Sequence, residues 1–212
     1  MSSSATVTPA APTTTRGEHT RRRILDVAIE RFGHDGFRAT SVADIARHAD
    51  VSGTLAYAYF DNKLGLFLAA LDDDIAGLID EGVSSVLDTT GDDSWRSTLI
   101  LTLVESLDRH PLARRMLAGL EPGFTERVVE LPALGELRAA VVARLRRDRD
   151  AGLVRTDIDL TTIGNGTVGI FVSMLMAAVQ FGVDGVGAQA RDMLAVVGAA
   201  IDPFDSPDHR PE

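Results

Sequence analysis

The sequence has no cysteine, which excludes a disulfide framework and any thiolate metal site. It has no apolar core near its start and no run of about eighteen uncharged apolar residues, so we expect neither a signal peptide nor a membrane span. Its histidines lack metal-type spacing, and no carboxylate pair, Ser/His/Asp order or Gly-rich phosphate loop is present. These absences predict a cytoplasmic protein that is not an enzyme and needs no metal or cofactor.

Positive charge is also scarce, because the net charge is -10. The charge is unevenly distributed along the chain. Residues 1–63 contain eight Lys or Arg and seven Asp or Glu, a net +1, which leaves 13 basic and 24 acidic residues beyond them, a net -11. Phosphates repel an acidic surface, so only the N-terminal part of the chain can face DNA.

Composition divides the chain into four predicted segments. Residues 1–18 form a Ser/Thr/Pro/Ala tract without apolar periodicity, which we interpret as a disordered arm. Residues 19–63 form a small helical domain, residues 64–203 form a larger helical domain, and residues 204–212 form a frayed tail.

Helical spacing of apolar residues predicts three short helices in the small domain. The first runs from about Thr20 to His34, and Thr40 is the predicted N-cap of a second helix that ends near Ala49. A tight turn at Asp50 follows, and Ser52 can cap a third helix. Such short helices joined by a tight turn are typical of the helix-turn-helix, whose last helix enters the major groove of DNA.

The rest of the chain also favours helices, so the predicted fold class is all-α. Asp61 or Asn62 caps a fourth helix that leaves the small domain. Glycine and proline then divide the chain into further predicted helices: Ser94 to Arg109, Leu112 to Leu120, Ala133 to Arg149, Leu160 to Phe181 and Ala188 to Ile201.

At this point the motif residues agree with a known pattern in one register. They are Arg23-Ile24-Leu25, Phe32, Gly36, Thr40, Ile45-Ala46, Val51-Ser52, Tyr57, Tyr59-Phe60 and Lys63. This run of about 45 residues resembles the TetR family of bacterial transcriptional regulators. The resemblance implies a phosphate contact by Lys63, a dimer built on the last two helices, and an effector pocket among the middle helices.

Several residues of the small domain are predicted to bind double-stranded DNA. Helix N-termini and hydroxyls suit phosphates, whereas the exposed side of the third helix suits base edges. The predicted set is Thr40, Arg47, Ser52, Gly53, Thr54, Leu55, Tyr57, Ala58, Tyr59 and Lys63. Arg16 and His48 are further candidates for contacts with phosphates or the minor groove. The pattern departs from the family at Asp50, where glycine is usual, and at Gly53-Thr54-Leu55, which lies one residue early.

Glycines inside the predicted helix Leu160 to Phe181 favour close helix packing, which indicates a homodimer built as a four-helix bundle, as the resemblance also implies. The alternative is an ordinary buried core helix. The predicted interface is Gly164, Val168, Phe171, Leu175, Met193 and Val197. The effector pocket that the resemblance implies has candidate lining residues that are large and apolar or polar, each of which could instead be ordinary core or surface: Trp95, Glu105, Arg115, Met116, Phe124, Phe171 and Met174.

These patterns together predict a ligand-responsive DNA-binding regulator, a repressor that a small, mainly apolar effector releases from its operator. The alternative is a dimeric ligand-binding or scaffold protein with a degenerate helix-turn-helix, because the predicted reading surface is small and apolar.

Overall fold

The structure is a computed structural model that describes residues 13–83, 94–128 and 130–203. All regular structure in these residues is helical, which confirms the all-α prediction. Two 3₁₀ turns, Leu107–Arg109 and Pro122–Phe124, lie between helices. The helices are α1 Thr13–Ala39, α2 Val42–His48, α3 Gly53–Tyr59, α4 Lys63–Val83, α5 Trp95–Ser106, α6 Pro111–Leu117, α7 Thr125–Val128, α8 Pro132–Asp150, α9 Leu160–Phe181 and α10 Val183–Ile201.

Helix α1 is longer than predicted at both ends. Residues 13–18, which we expected in a disordered arm, form its first turns, whereas residues 1–12 lie outside the described residues. Gly33 is helical, and the helix is broken at Gly36, whose φ of 84° is a conformation that favours glycine. The predicted tail 204–212 also lies outside the described residues.

The small domain packs three helices around one apolar core. Ile24, Leu25 and Phe32 of α1 are buried against Ile45 of α2 and Ala56 of α3. The core continues without interruption into α4 and the larger domain, since the rings of Phe32 and Phe67 meet edge to face at 5.2 Å between their centroids. Helix α4 therefore spans the predicted domain boundary after residue 63.

The termini of the short helices follow from side-chain caps. Ser52 accepts a hydrogen bond from the backbone N–H of Leu55 at 3.1 Å, which confirms the predicted cap of α3. Asn62, one of the two candidates, caps α4 by accepting from the N–H of Gly65 at 2.9 Å. Asp50 adopts the left-handed conformation, with φ of 52°, that the predicted turn requires.

The larger domain is built on α8, α9 and α10, with α4 and α5 against them. Helix α9 has the predicted bounds, because Asp159 caps its start and Gly182, with φ of 81°, ends it. Helix α10 starts at Val183, earlier than the predicted Ala188, since Gly185 and Gly187 are accommodated within the helix.

Helix α9 is, by length and composition alone, apolar enough to cross a membrane, which departs from the expectation of no such segment. Core helices of folded domains pass the same test, and α9 packs against α8 and α10. Only 33% of its most apolar window is buried within the protomer. Its remaining surface is therefore available to a further partner.

Candidate functional site

Helix α3 presents one face to the protein and the other to solvent. Ala56 is fully buried, and Phe60, just after the helix, is 6% exposed, so these two residues anchor α3 on the core as predicted. The opposite face is uncharged and consists of Ser52, Thr54, Leu55, Tyr57 and Ala58, all exposed. Tyr57 is 54% exposed, which places its phenol in solvent.

Arg23 of α1 holds the turn that aims α3. Its guanidinium donates to the carbonyl oxygens of Ala49 and Asp50 and lies 3.7 Å from the Asp50 carboxylate. Ala49 ends α2 and Asp50 is the left-handed residue of the turn. Arg23 therefore fixes the angle between α2 and α3. The sequence pattern did not reveal this role, since three arginines in a row resemble an ordinary solvated helix start.

Basic side chains border the start of α3. Arg16 and His19, in the first turns of α1, line a shallow depression together with Ser52 and Leu55. Arg47 of α2 is exposed and is paired with Asp44 at 2.7 Å. The surface around α3 thus combines hydroxyls, a phenol and guanidinium groups, which suits phosphates and groove edges.

Thr40 does not lie on this surface, so the prediction that it contacts phosphate was wrong. It is 2% exposed, and its hydroxyl donates to the carbonyl of Gly36 at 2.8 Å. The next residue, Ser41, caps α2 by accepting from the N–H of Asp44 at 3.0 Å. The spacing Ser41-x-x-Asp44 is a capping box that the sequence pattern does contain.

The Asp44 carboxylate stays ionised at the start of α2. Its hydrogen bond from the Ser41 hydroxyl, 2.7 Å, and the nearby Arg47 lower the pKa of Asp44. A negative charge at the first turn stabilises a short helix.

Tyr59 and Lys63 are only half-buried, so neither is fully committed to the core. Tyr59 packs partly against the core, with its hydroxyl toward Gly17 of α1. The Lys63 ammonium donates to the carbonyl of Arg38 at 3.3 Å and lies 4.5 Å from the centre of the Phe37 ring. Lys63 thereby ties the start of α4 to the end of α1 and keeps a partly exposed charge.

Most of the predicted dimer residues face the core of their own protomer. The predicted interface was therefore on the wrong side of α9 and α10. Gly164 packs against α8, since a Cβ there would lie 2.5 Å from Cγ2 of Val142. The other residues that turn inward are Val168, Phe171, Leu175 and Val197, all buried, whereas Met193 is half-buried.

The outward face of α9 and α10 carries small and apolar residues instead. Gly166, Gly169 and Ser173 are exposed along α9, and no atom lies within 4 Å of a Cβ placed on either glycine. Val196 of α10 is 65% exposed. We define this surface as the α9/α10 face.

An apolar cavity of about 150 Å³ lies among α4, α5, α6, α7, α8 and α9. Two of the predicted pocket residues, Met116 and Phe171, line it. Trp95 and Met174 are buried but do not line it, although Trp95 packs edge-on against Phe171 at 6.5 Å between ring centroids. The cavity thus lies directly against α4, the helix that follows α3.

The other predicted pocket residues lie elsewhere. Glu105 is exposed on α5. Arg115 donates to Glu121 at 2.8 Å, below the end of α1. Phe124 packs on Phe37 at 4.8 Å between ring centroids, so it belongs to the contact between the two domains.

Residues 24–70 match the family described as bacterial regulatory proteins, tetR family. This segment belongs to the TetR family. This match covers most of α1, all of α2 and α3, and the start of α4.

Two curated relatives extend the TetR likeness beyond the matched segment. The transcriptional repressor KstR2 of Rhodococcus jostii is 34% identical over 106 residues, 48% of this chain and 50% of the relative. The transcriptional activator FasR of Mycolicibacterium smegmatis is 37% identical over 76 residues, 36% of this chain and 34% of the relative. The chain thus matches about half, or less, of the length of these relatives.

The likeness in fold extends over nearly the whole of this chain. The solved structure of Thermus thermophilus FadR in complex with lauroyl-CoA superposes with a TM-score of 0.61 at 23% identity, and covers 91% of this chain and 99% of that one. At this identity the likeness shows the fold alone.

Proposed function

We propose that the protein is a cytoplasmic, homodimeric DNA-binding transcriptional regulator that responds to a small, mainly apolar effector. The observation that carries the proposal is the exposed, uncharged face of α3, bordered by Arg16 and Arg47, in a chain whose remainder has a net charge of -11 (13 basic, 24 acidic). Only this region can approach a duplex closely.

A salt titration of binding to random and genomic DNA fragments tests the proposal. We expect log Kd to rise steeply with log salt concentration and selected fragments to share one sequence, because phosphate contacts release counterions and base contacts specify. A weak, salt-insensitive association without sequence preference would instead indicate a scaffold with a degenerate helix-turn-helix.

Two substitutions on α3 should separate positioning from base reading. Tyr57→Phe removes one exposed hydroxyl and should weaken binding to all sequences alike, by about five- to tenfold, whereas Thr54→Ala should change the preferred sequence. Competition binding against a library of operator variants measures both effects. Ser97→Ala, exposed on α5, is the control and should change neither. Equal loss on every sequence for Thr54→Ala would contradict its assigned role.

The dimer proposal follows from the α9/α10 face. Two half-sites on one side of a duplex require two copies of α3, and exposed small residues allow helices of two protomers to approach closely. On the α9/α10 face the apolar helix α9 is largely uncovered in a single protomer. A second copy of the chain would cover it.

Gly169→Glu should convert the dimer to a monomer. A Cβ at position 169 meets no atom of its own protomer, so the fold tolerates the side chain while its charge opposes a second protomer. Sedimentation equilibrium should show the dimer dissociation constant raised by about a hundredfold or more. Gly135→Glu, on the exposed side of α8 with the same open surroundings, is the matched control. A dimer that survives Gly169→Glu unchanged would place the interface elsewhere.

The response to an effector rests on the position of the cavity. Ile75 and Leu78 of α4 line it, so a molecule between α4 and α6 must bear on the helix that leaves α3. A change in the angle of α4 would alter the separation of the two α3 helices and release the operator. A full switch requires about 10⁴-fold tighter effector binding to the released state. Thermus thermophilus FadR, a transcriptional repressor of the same fold, forms a complex with lauroyl-CoA, which supports ligand control in this fold.

A further inference from the structure

The cavity itself restricts which molecules can act as the effector. Its walls come from six helices and include Leu78 on α4, Met116 on α6, Leu137 on α8 and Phe171 on α9. Its volume is about 150 Å³, well below the roughly 300–1,000 Å³ of pockets that hold drug-sized ligands. An apolar protein cavity of about this volume stays dry and takes up benzene.

The chemistry of the walls is as restrictive as their volume. Among the described residues that line the cavity, Thr125 is the only one with a polar side chain, and none carries a charge. Thr125 is exposed, which places its hydroxyl at the mouth rather than in the depth of the cavity. A charged group drawn into such walls would lose its hydration without gaining a partner.

We propose that the effector is a neutral molecule of about six to ten non-hydrogen atoms, such as a single aromatic ring with short substituents, with at most one uncharged polar group directed at Thr125. The inference rests on the proposed function, because it names the ligand class of the same regulatory cavity. The proposed function states only that the effector is small and mainly apolar. The inference adds its approximate size and its lack of charge.

On this proposal acyl-CoA is not the effector of this chain, because the cavity offers neither the volume nor the charged partners that it needs. An acyl-CoA carries several phosphate charges and, as lauroyl-CoA, a chain of twelve carbons. Neither arginine of α6 lines the cavity: Arg115 is held by Glu121 at 2.8 Å, and Arg114 lies 3.7 Å from Asp108. The proposal therefore predicts that this protein and Thermus thermophilus FadR share a fold and differ in ligand class.

Calorimetric titration of the full-length protein with four probes tests the inference. Toluene and p-cresol should bind with Kd between about 10 µM and 1 mM, as expected for ligands of this size. Benzoate, which has nearly the same size but a charge, and lauroyl-CoA should show no saturable binding. Stoichiometric binding of lauroyl-CoA or benzoate, or failure of both neutral probes, would overturn the inference.

Two variants place the binding in the cavity. Ala113→Leu adds three carbons to the cavity wall and should weaken toluene binding by about tenfold or more, whereas Ala139→Leu, exposed on α8, should leave it unchanged. Thr125→Val keeps the shape and should weaken p-cresol binding by about three- to tenfold without affecting toluene. Because Thr125 lies at the exposed mouth, this second variant does not depend on repacking of the core. Unchanged binding of both probes to both variants would place their site outside the cavity.

Operator binding without any probe distinguishes the two proposals. If the protein binds DNA with sequence preference but does not bind the neutral probes, the proposed DNA-reading function stands and the inferred ligand class is wrong. If the protein binds toluene in the cavity but binds no DNA, the inferred ligand class stands and the proposed function is wrong.

Discussion

Asp74→Ala should lower the free energy of unfolding by about 3–5 kcal/mol, because it removes the partner of several buried groups. Asp74 lies on α4 and is 4% exposed. One carboxylate oxygen is 2.9 Å from Nδ1 of His110, and the other accepts from the N–H groups of Leu112 and Ala113 at 2.9 and 2.8 Å. A single side chain of α4 thus caps the start of α6 and pairs with the residue before it.

The loss should depend on pH. Burial opposes the charged form of His110, but the hydrogen bond and charge of Asp74, with a contribution from Glu81 at 3.4 Å, raise the pKa of His110 above its usual value. Arg109, the nearest cation, is itself paired with Glu81. A raised folded-state pKa stabilises the protein fully below the unfolded pKa of about 6.5, and this stabilisation is lost as the pH rises through the folded value. The wild-type protein should therefore lose more stability than Asp74→Ala as the pH rises above about 6.5.

Urea denaturation at pH 6 and pH 8.5 measures both effects. Asp73→Ala is the matched control. Asp73 is next to Asp74 in the sequence, but it is half-buried and pairs with the exposed Arg22 at 3.0 Å. That surface pair contributes about 0–1 kcal/mol. Similar losses for the two variants, or a loss for Asp74→Ala that does not change with pH, would contradict the role of Asp74 as the partner of His110.

The fold could be predicted wherever a local signal decides the local structure. Ser52 and Asn62 cap their helices through bonds to residues three positions on, and Asp159 with Gly182 marks both ends of α9. The start of α10 was missed because the glycines before Ala188 were interpreted as breakers. The packing of a helix on its neighbours outweighs the cost of glycine, about 1 kcal/mol each.

The candidate site was predictable for the exposed face of α3 and much less so elsewhere. Thr40 and Ser41 are both good caps by composition, and only the acid at position 44 distinguishes them. Glycines on α9 indicate close packing but not its direction, so Gly164, which faces α8, was taken for an interface residue. The roles of Arg23 and Glu121 depend on contacts between distant segments, and no local pattern encodes such contacts.

Gly36→Ala should have the second large effect, because Gly36 combines a special backbone conformation with a crowded contact. Its φ of 84° and ψ of 168° favour glycine, and a Cβ there would lie 2.6 Å from Oε1 of Glu121 and even closer to the Arg115 guanidinium. Glu121 is 8% exposed and accepts from the N–H of Phe37 at 3.0 Å and from Nε of Arg115 at 2.8 Å. The side chain would therefore displace the ion pair that joins the end of α1 to the larger domain.

We expect Gly36→Ala to lower the free energy of unfolding by about 2–4 kcal/mol, the sum of backbone strain and crowding. It should also weaken operator binding, because Gly36 accepts the Thr40 hydroxyl at 2.8 Å and so sets the path from α1 into α2. Gly123→Ala, in the facing turn with nothing within 4 Å of the new Cβ and no positive φ, is the control for both measurements. If the two variants unfold at the same urea concentration, the contact at Gly36 does not hold the domains together. If Gly36→Ala loses stability but keeps full operator affinity, the orientation of α2 and α3 is set within the small domain, by contacts such as those of Arg23 with Ala49 and Asp50.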